Sequence, residues 1–370
     1  MHKLLMITGD RALAEGKRGA FYNTLEEFHK YWDRVDIICP PSATANCQLP
    51  TTNYFGNVFL HPSPWPLIFQ PFWILKKGRE IYRQQKFNLM TVHEYAPFYN
   101  GIGARFLWHK IKVAYLLEIH HVPGYPRPAG LQEWVYEKLF RLGIRFDAAK
   151  ARAVRVVNWH HLPGYLVRAG VPRKKILLIP SFYIDLEIFK PMDLAKQYDL
   201  IFVGRLAANK GVEIFLEAAA ELNGKDLIVG DGPRKESLRH KVKRLKLEDK
   251  VTFQGWARDA REIAALINQA KLLVVTSYSE GGPRVLLEAL ACGVPVLTTD
   301  VGMARDLAAA EVIDAPCRWD GQDIAGRARQ LLADGQKYEN LRRRGLEYVE
   351  RFEYKRAIEY YADRLKALHD

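Results

Sequence analysis

Ser279-Glu280-Gly281-Gly282-Pro283-Arg284-Val285-Leu286-Leu287-Glu288-Ala289-Leu290-Ala291-Cys292-Gly293-Val294-Pro295-Val296 decides how this chain is read. An apolar run, Leu272 to Val275, precedes it and predicts a buried parallel strand. Thr276 to Ser279 then leave the strand's C-terminal end, where open α/β sheets take their ligands. Gly281 and Gly282 permit close approach of the backbone. Pro283 suits the first helical position, where its missing N–H costs nothing. The pattern predicts a helix from Arg284 to Cys292, stopped at Gly293, and a second buried strand over Val294 to Thr298.

Glu280 stands just before this helix and Glu288 within it. Eight residues at helical rise span roughly 12 Å, about the reach from the sugar to the ribose of a nucleotide-sugar. Between the two carboxylates lie the unpaired N–H groups and positive dipole end of the helix, suited to a diphosphate. Two glutamates eight apart are ordinarily solvated side chains; two consecutive strand–helix units around them give the spacing its meaning. With Ala289-Leu290-Ala291-Cys292-Gly293-Val294-Pro295-Val296, the pair resembles the E-x7-E signature of the retaining family 4 glycosyltransferases, which have the GT-B fold.

The chain has 370 residues, enough for two α/β domains. At 48% hydrophobic and 26% charged it is globular, which excludes a disordered chain. No opening segment joins a basic start to a long apolar run, so no secretory signal is expected. No uncharged apolar stretch reaches the ~18 residues of a membrane span. Cys39, Cys47, Cys292 and Cys317 lack C-x-x-C spacing and read as reduced thiols of a cytoplasmic protein. The net charge of +13 is uneven: residues 1–190 hold 26 basic and 14 acidic side chains, residues 191–370 hold 29 and 28. A basic first half suits an anionic membrane face or an acidic acceptor. No nucleic-acid motif accompanies it, so nucleic acid is not an expected partner.

Strand and helix patterns alternate along the whole chain. Gly19, at the start of a helix predicted over Ala20 to Tyr31, leaves room for a phosphate or sugar. Residues 65–79 run from Trp65, Phe69, Phe72 and Trp73 into Lys76, Lys77 and Arg79, a composition that fits either a core helix with a basic end or a segment lying in a membrane interface. Val113 to Ile119 predicts a strand with His120-His121 at its C-terminal end, and the sequence shows no third metal ligand at suitable spacing. Further on, Gly204-Arg205-Leu206-Ala207-Ala208-Asn209-Lys210-Gly211 follows a strand and opens a helix, so that Arg205 and Lys210 can converge on one diphosphate. Gly230-Asp231-Gly232-Pro233 lacks the third glycine of a dinucleotide fingerprint.

The fold expected is α/β, two doubly wound Rossmann-like domains facing a central cleft, with an acceptor-side domain at 1–182, a linker at 183–191 and a donor-binding domain at 192–351; a final helix at 352–370 rejoins the first domain. The resemblance implies transfer, with retention, of a hexose-type sugar from a UDP- or GDP-sugar to a lipid-linked or polysaccharide acceptor in cell-envelope glycan synthesis. It implies that Glu280 holds the donor sugar, Glu288 the ribose, Arg205 and Lys210 the diphosphate, and His120 the sugar from across the cleft, with His121 its rival by one register step. Gly19, Gly281 and Gly282 complete the donor-binding set. No cofactor and no obligate metal are expected, and the protein is placed in the cytoplasm, peripheral to the inner face of the cell membrane. A nucleotide-sugar epimerase on the same fold and a non-catalytic sugar-nucleotide-binding protein are the alternatives. An epimerase would convert donor without acceptor.

Overall fold

A computed structural model describes residues 2–41, 52–95, 97–180 and 182–368. Cys47 and Ser181 lie outside them. The first sheet comprises β1 (Lys3–Ile7), β2 (Arg34–Cys39), β3 (Thr52–Tyr54), β4 (Val58–Pro62), β5 (Leu89–His93), β6 (Tyr115–Ile119), β7 (Ala153–Val156) and β8 (Ile176–Leu178), in the order β3-β4-β2-β1-β5-β6-β7-β8. All neighbours pair in parallel except β3, an antiparallel edge strand that the sequence pattern did not announce. The second sheet comprises β9 (Tyr198–Val203), β10 (Asp226–Val229), β11 (Val251–Gly255), β12 (Ala270–Val275) and β13 (Val296–Thr298), all parallel, in the order β11-β10-β9-β12-β13. Leu4, Leu5 and Ile7 of β1 and Leu272 to Val274 of β12 are buried on both faces, as continuous apolar runs require of parallel strands covered by helices.

The first sheet is flanked by α1 (Ala20–Phe28), α2 (Gln70–Gln85), α3 (Tyr99–Ile111), α4 (Leu131–Ala148) and α5 (Leu162–Arg168). The second carries α6 (Val212–Ala220), α7 (Lys235–Arg244), α8 (Ala260–Asn268), α9 (Arg284–Ala291), α10 (Ala304–Ala309), α11 (Gly321–Ala333) and α12 (Gly335–Val349). The last helix, α13 (Tyr354–Lys366), leaves the second domain and returns to the first. Its Ile358, Tyr361, Ala362 and Leu365 join Leu25, Phe28 and Val35 in one buried cluster, and Tyr361 stacks on Phe28 with ring centroids 5.1 Å apart.

Residues 65–79 divide between the two readings offered for them. Pro71 opens α2, and Trp73 and Ile74 are core, whereas Ile68, Phe69 and Phe72 point to solvent. Cys39, Cys292 and Cys317 are buried free thiols. Among the described residues, no helix is long and apolar enough to cross a membrane.

Candidate active site

In each sheet the strand order reverses beside the first strand, and loops leaving the two strands there part to opposite sides and open a crevice. In the second sheet this point lies between β9 and β12. The loop after β9 carries Arg205 to Gly211, and the loop after β12 carries Thr276 to Pro283. Topology therefore brings together two stretches seventy residues apart. Thr276 Oγ1 donates to the Lys210 carbonyl at 2.9 Å, and Tyr278 N donates to the Asn209 carbonyl at 2.8 Å. Gly211 adopts φ +59 against the Thr276 carbonyl, and a Cβ there would overlap that oxygen. Locked in this way, Lys210 forms an ion pair with Glu280, whose Oε1 also accepts from Ser277 Oγ at 3.1 Å.

Among the described residues no side chain caps the N-terminus of α9, which starts four residues beyond Glu280. About one turn in, half-buried Glu288 is pushed up to about 7 by burial, against the downward pull of Arg284. A carboxyl near neutrality on that face serves equally as donor and acceptor towards a diol. Arg205 lies exposed at the lip of the same crevice. Gly19 precedes α1 in extended backbone, and a Cβ there would meet open space.

The crevice of the first sheet lies between β1 and β5. A cavity of about 280 Å³ opens there, lined in part by Thr8, Asp10, His93, His120 and Arg284. Beneath it runs a buried network that the sequence reading missed. Arg155 Nη1 donates to Glu118 Oε1 at 2.7 Å, the Tyr361 hydroxyl donates to the same oxygen at 2.6 Å, and His93 Nε2 lies 2.6 Å from Glu118 Oε2. Burial alone would raise Glu118, but Arg155 and His93 hold it well below the ordinary carboxylate range. The available signal was a single charge inside each of two apolar strands, Leu116-Leu117-Glu118-Ile119 and Val154-Arg155-Val156, since a buried charge demands an opposite one.

His120 stands over this network, its ring centroid 4.9 Å from that of His93. Its Nε2 is buried with no hydrogen-bond partner among the described residues. Burial, then the charges of His93 and Arg155, push the imidazole down to about 3 despite Glu118, so it is neutral at pH 7. His121 faces the other way. It is lowered by burial and lies within the fields of Glu280 and Glu133. His93, Glu118 and His120 bring three ligand-type atoms within 4.8 Å of one another, which corrects the expectation that the paired histidines lack a third candidate ligand. The three could hold a cation only by giving up the His93–Glu118 contact, and with the Arg155 guanidinium still beside them.

The two crevices face each other at close range. A Cβ on Gly281 would overlap the His120 carbonyl, and one on Gly282 would enter the Phe182 ring. The close approach that these glycines permit is thus made by the opposite domain. Asn158 Nδ2 donates to the Gly281 carbonyl at 2.9 Å, and Ser279 Oγ donates to Glu133 at 3.3 Å. His161 Nε2 pairs with Asp300 at 2.9 Å and His160 Nδ1 with Asp306 at 2.9 Å. Lys210, Glu280, His120 and His121 are therefore gathered at one cleft, with Arg205 and Glu288 along its second-domain wall and Gly19 on the first-domain side.

Two doubly wound α/β domains with opposed crevices and a returning final helix constitute the GT-B fold. Residues 185–348 match the family described as Glycosyl transferases group 1. The chain is 39% identical over 126 residues, 32% of its length and 33% of the relative's, to the GalNAc-alpha-(1->4)-GalNAc-alpha-(1->3)-diNAcBac-PP-undecaprenol alpha-1,4-N-acetyl-D-galactosaminyltransferase of Campylobacter jejuni. Matches to the curated relatives span roughly a third of their length. Among solved structures, sucrose-phosphate synthase from Thermosynechococcus elongatus superposes with a TM-score of 0.81 at 20% identity, covering 100% of this chain and 99% of that one. HepE from Anabaena, in complex with UDP-glucose, gives a TM-score of 0.73 at 18% identity, covering 99% and 100%.

Proposed function

We propose that this chain is a retaining glycosyltransferase that moves a hexose-type sugar from a UDP- or GDP-sugar to a lipid-linked or polysaccharide acceptor of the cell envelope. The observation that carries the reading is the pairing of Lys210 with Glu280 beside the uncapped N-terminus of α9, opposite a neutral histidine of the other domain. The similarity to a relative named for a PP-undecaprenol acceptor supports the acceptor class, and that to a structure holding UDP-glucose supports the donor class.

In this reading the diphosphate sits on the α9 amides between Arg205 and Lys210, whose charges stabilise the departing phosphate without a metal. Glu280 exchanges its contact with Lys210 for the donor hydroxyls, and Glu288 takes the ribose. The acceptor hydroxyl attacks the anomeric carbon on the face from which the phosphate leaves. The C–O bond to phosphate breaks, the C–O bond to acceptor forms, and the hydroxyl proton passes to the leaving phosphate oxygen.

Thermal shift across a panel of UDP- and GDP-sugars tests the donor, with Arg205→Ala as control. A ligand at 100 times its dissociation constant stabilises the native state by about 2.7 kcal/mol. One donor should shift the native protein and fail on the control. Glu280→Gln should then reduce turnover by about 10²–10³-fold. Separate alanine variants at 120 and 121 assign the histidine. Conversion of donor without acceptor would instead identify an epimerase, and donor binding with Glu280→Gln fully functional would identify a binding protein.

A further inference from the structure

The helix α4 has two apolar stripes. Phe140, Ile144 and Ala148 face the core. Leu131, Trp134, Leu139, Leu142 and Phe146 face solvent, with Leu131 77% and Leu142 78% exposed. Leu131, exposed Val135, Leu139, Leu142 and Phe146 recur at steps of three to four residues and so line one side of the helix, with Trp134 beside them. A helix on a globular surface presents one apolar stripe to the core and polar residues outside. Here the outer side is as apolar as the inner.

The stripe continues beyond α4. The Arg105 guanidinium of α3 lies 3.6 Å over the Phe146 ring. Phe106 follows it, its ring centroid 6.5 Å from that of Phe72 in α2, and exposed Phe69 and Ile68 extend the edge. A contiguous apolar surface of this kind marks an interaction face.

Charge identifies the occupant. Lys138, Arg141 and Arg145 are exposed along the same helix. Its acidic residues are withdrawn or neutralised: Glu133 is engaged with Ser279 and Ala129 N, Glu137 pairs with Lys138 at 2.9 Å, and Asp147 is buried. Lys76 and Arg79 stand beside the α2 end of the stripe. The face thus combines bulky apolar side chains with cations, of which Arg141 and Arg145 have no acidic partner among the described residues, and this suits acyl chains and lipid phosphates together.

We propose that the outward face of α4, continued by α3 and the start of α2, docks this protein on an anionic phospholipid bilayer. The centre of the contact is α4, rather than residues 65–79, whose Trp73 and Ile74 are committed to the core. Glu133, in the first turn of α4, bonds Ser279 next to Glu280, so the docked helix begins at the mouth of the cleft. A lipid-borne acceptor head group would therefore enter the cleft from the docked side; this last point rests on the glycosyltransferase reading.

The experiment is co-sedimentation of the full chain with phosphatidylcholine vesicles, with and without phosphatidylglycerol. A Leu139→Glu/Leu142→Glu variant, a Lys138→Gln/Arg141→Gln variant, and light scattering of the free protein complete the set. Binding should require phosphatidylglycerol, and each double variant should weaken it about tenfold or more. The UDP thermal shift of both variants should equal that of the native protein, which shows them folded and reads the donor site independently. Absent vesicle binding, or binding indifferent to the four substitutions, overturns the proposal even if UDP still binds. A dimer that Leu139→Glu/Leu142→Glu converts to monomer also overturns it, because a second copy then covers the face. Vesicle binding without a shift by either UDP or GDP sustains the docking surface and removes the donor reading instead.

Discussion

Glu94 and Asp147 show what burial does to a carboxyl without a cation close enough to neutralise it. They meet across Gly101, where any Cβ would overlap both carboxyl groups. Glu94 Oε2 and both side-chain oxygens of Asp147 are buried with no hydrogen-bond partner among the described residues. Burial raises Glu94 well above its ordinary value and, against the pull of Arg105, raises Asp147 to about 7. A carboxyl whose folded pKa is raised favours the native state only while it stays protonated. Its contribution is complete below the unfolded value near 4 and is lost as pH rises towards 7. Stability should therefore fall between about pH 4 and pH 7, by an amount on the order of 2–4 kcal/mol. Asp147→Asn should flatten that slope and be the more stable protein at pH 8. Urea unfolding at pH 5 and pH 8 checks this, and equal slopes for the two proteins would refute it.

At the scale of the element, α13 is held by polarity as much as by its apolar stripe. Tyr361 reaches Glu118, and the Arg155 guanidinium lies 3.9 Å from the Tyr361 ring while it also donates to the Ile179 and Pro180 carbonyls. Glu118 is thus an ionised group inside the protein that depends on three neighbours. Tyr361→Phe removes one hydrogen bond to a charge and should cost about 1.5–3 kcal/mol. Arg155→Leu leaves the carboxylate unpaired and should cost about 3–5 kcal/mol. Adding Glu118→Gln to Arg155→Leu should recover part of that loss, because the orphaned charge is then gone. Chemical denaturation of the three variants decides the matter; a double variant no more stable than Arg155→Leu would show that packing, and not charge, holds the helix.

At the scale of the whole molecule, the cleft is closed by contacts between loops of different domains. His161 and Arg305 hydrogen bonds outweigh the burial of Asp300 and hold it below the ordinary carboxylate range. A depressed carboxylate contributes above its unfolded pKa and loses that contribution only as pH falls through the lower folded value. On the Asp300 side, the tie therefore stands throughout the range near neutrality. Asp300→Ala should release the His161 contact, widen the cleft and increase the radius of gyration in solution scattering. Donor affinity should fall several-fold, since fewer molecules would hold both walls in place. Unchanged scattering together with unchanged affinity would place closure in the other cross-cleft contacts, those of Asn158 with Gly281, Glu133 with Ser279 and His160 with Asp306.

The sequence by itself determined the strand–helix alternation, the two doubly wound domains and the stretch around Glu280, because apolar runs, glycine stops and a proline at N1 are local signals. The loop of residues 276–283 between β12 and α9 was legible for the same reason, and so was α13 as an amphipathic helix. Only the tertiary structure decided that Lys210 pairs with Glu280, that Gly281 and Gly282 accommodate the opposing domain, and that Glu118, Arg155, His93 and Tyr361 form one network. Those relations join residues 25 to 243 positions apart. The order of strands in a sheet sets them, and no local pattern encodes that order. The outer stripe of α4 escaped for a related reason: periodicity shows that a helix has an apolar side, but only packing shows which apolar side stays uncovered.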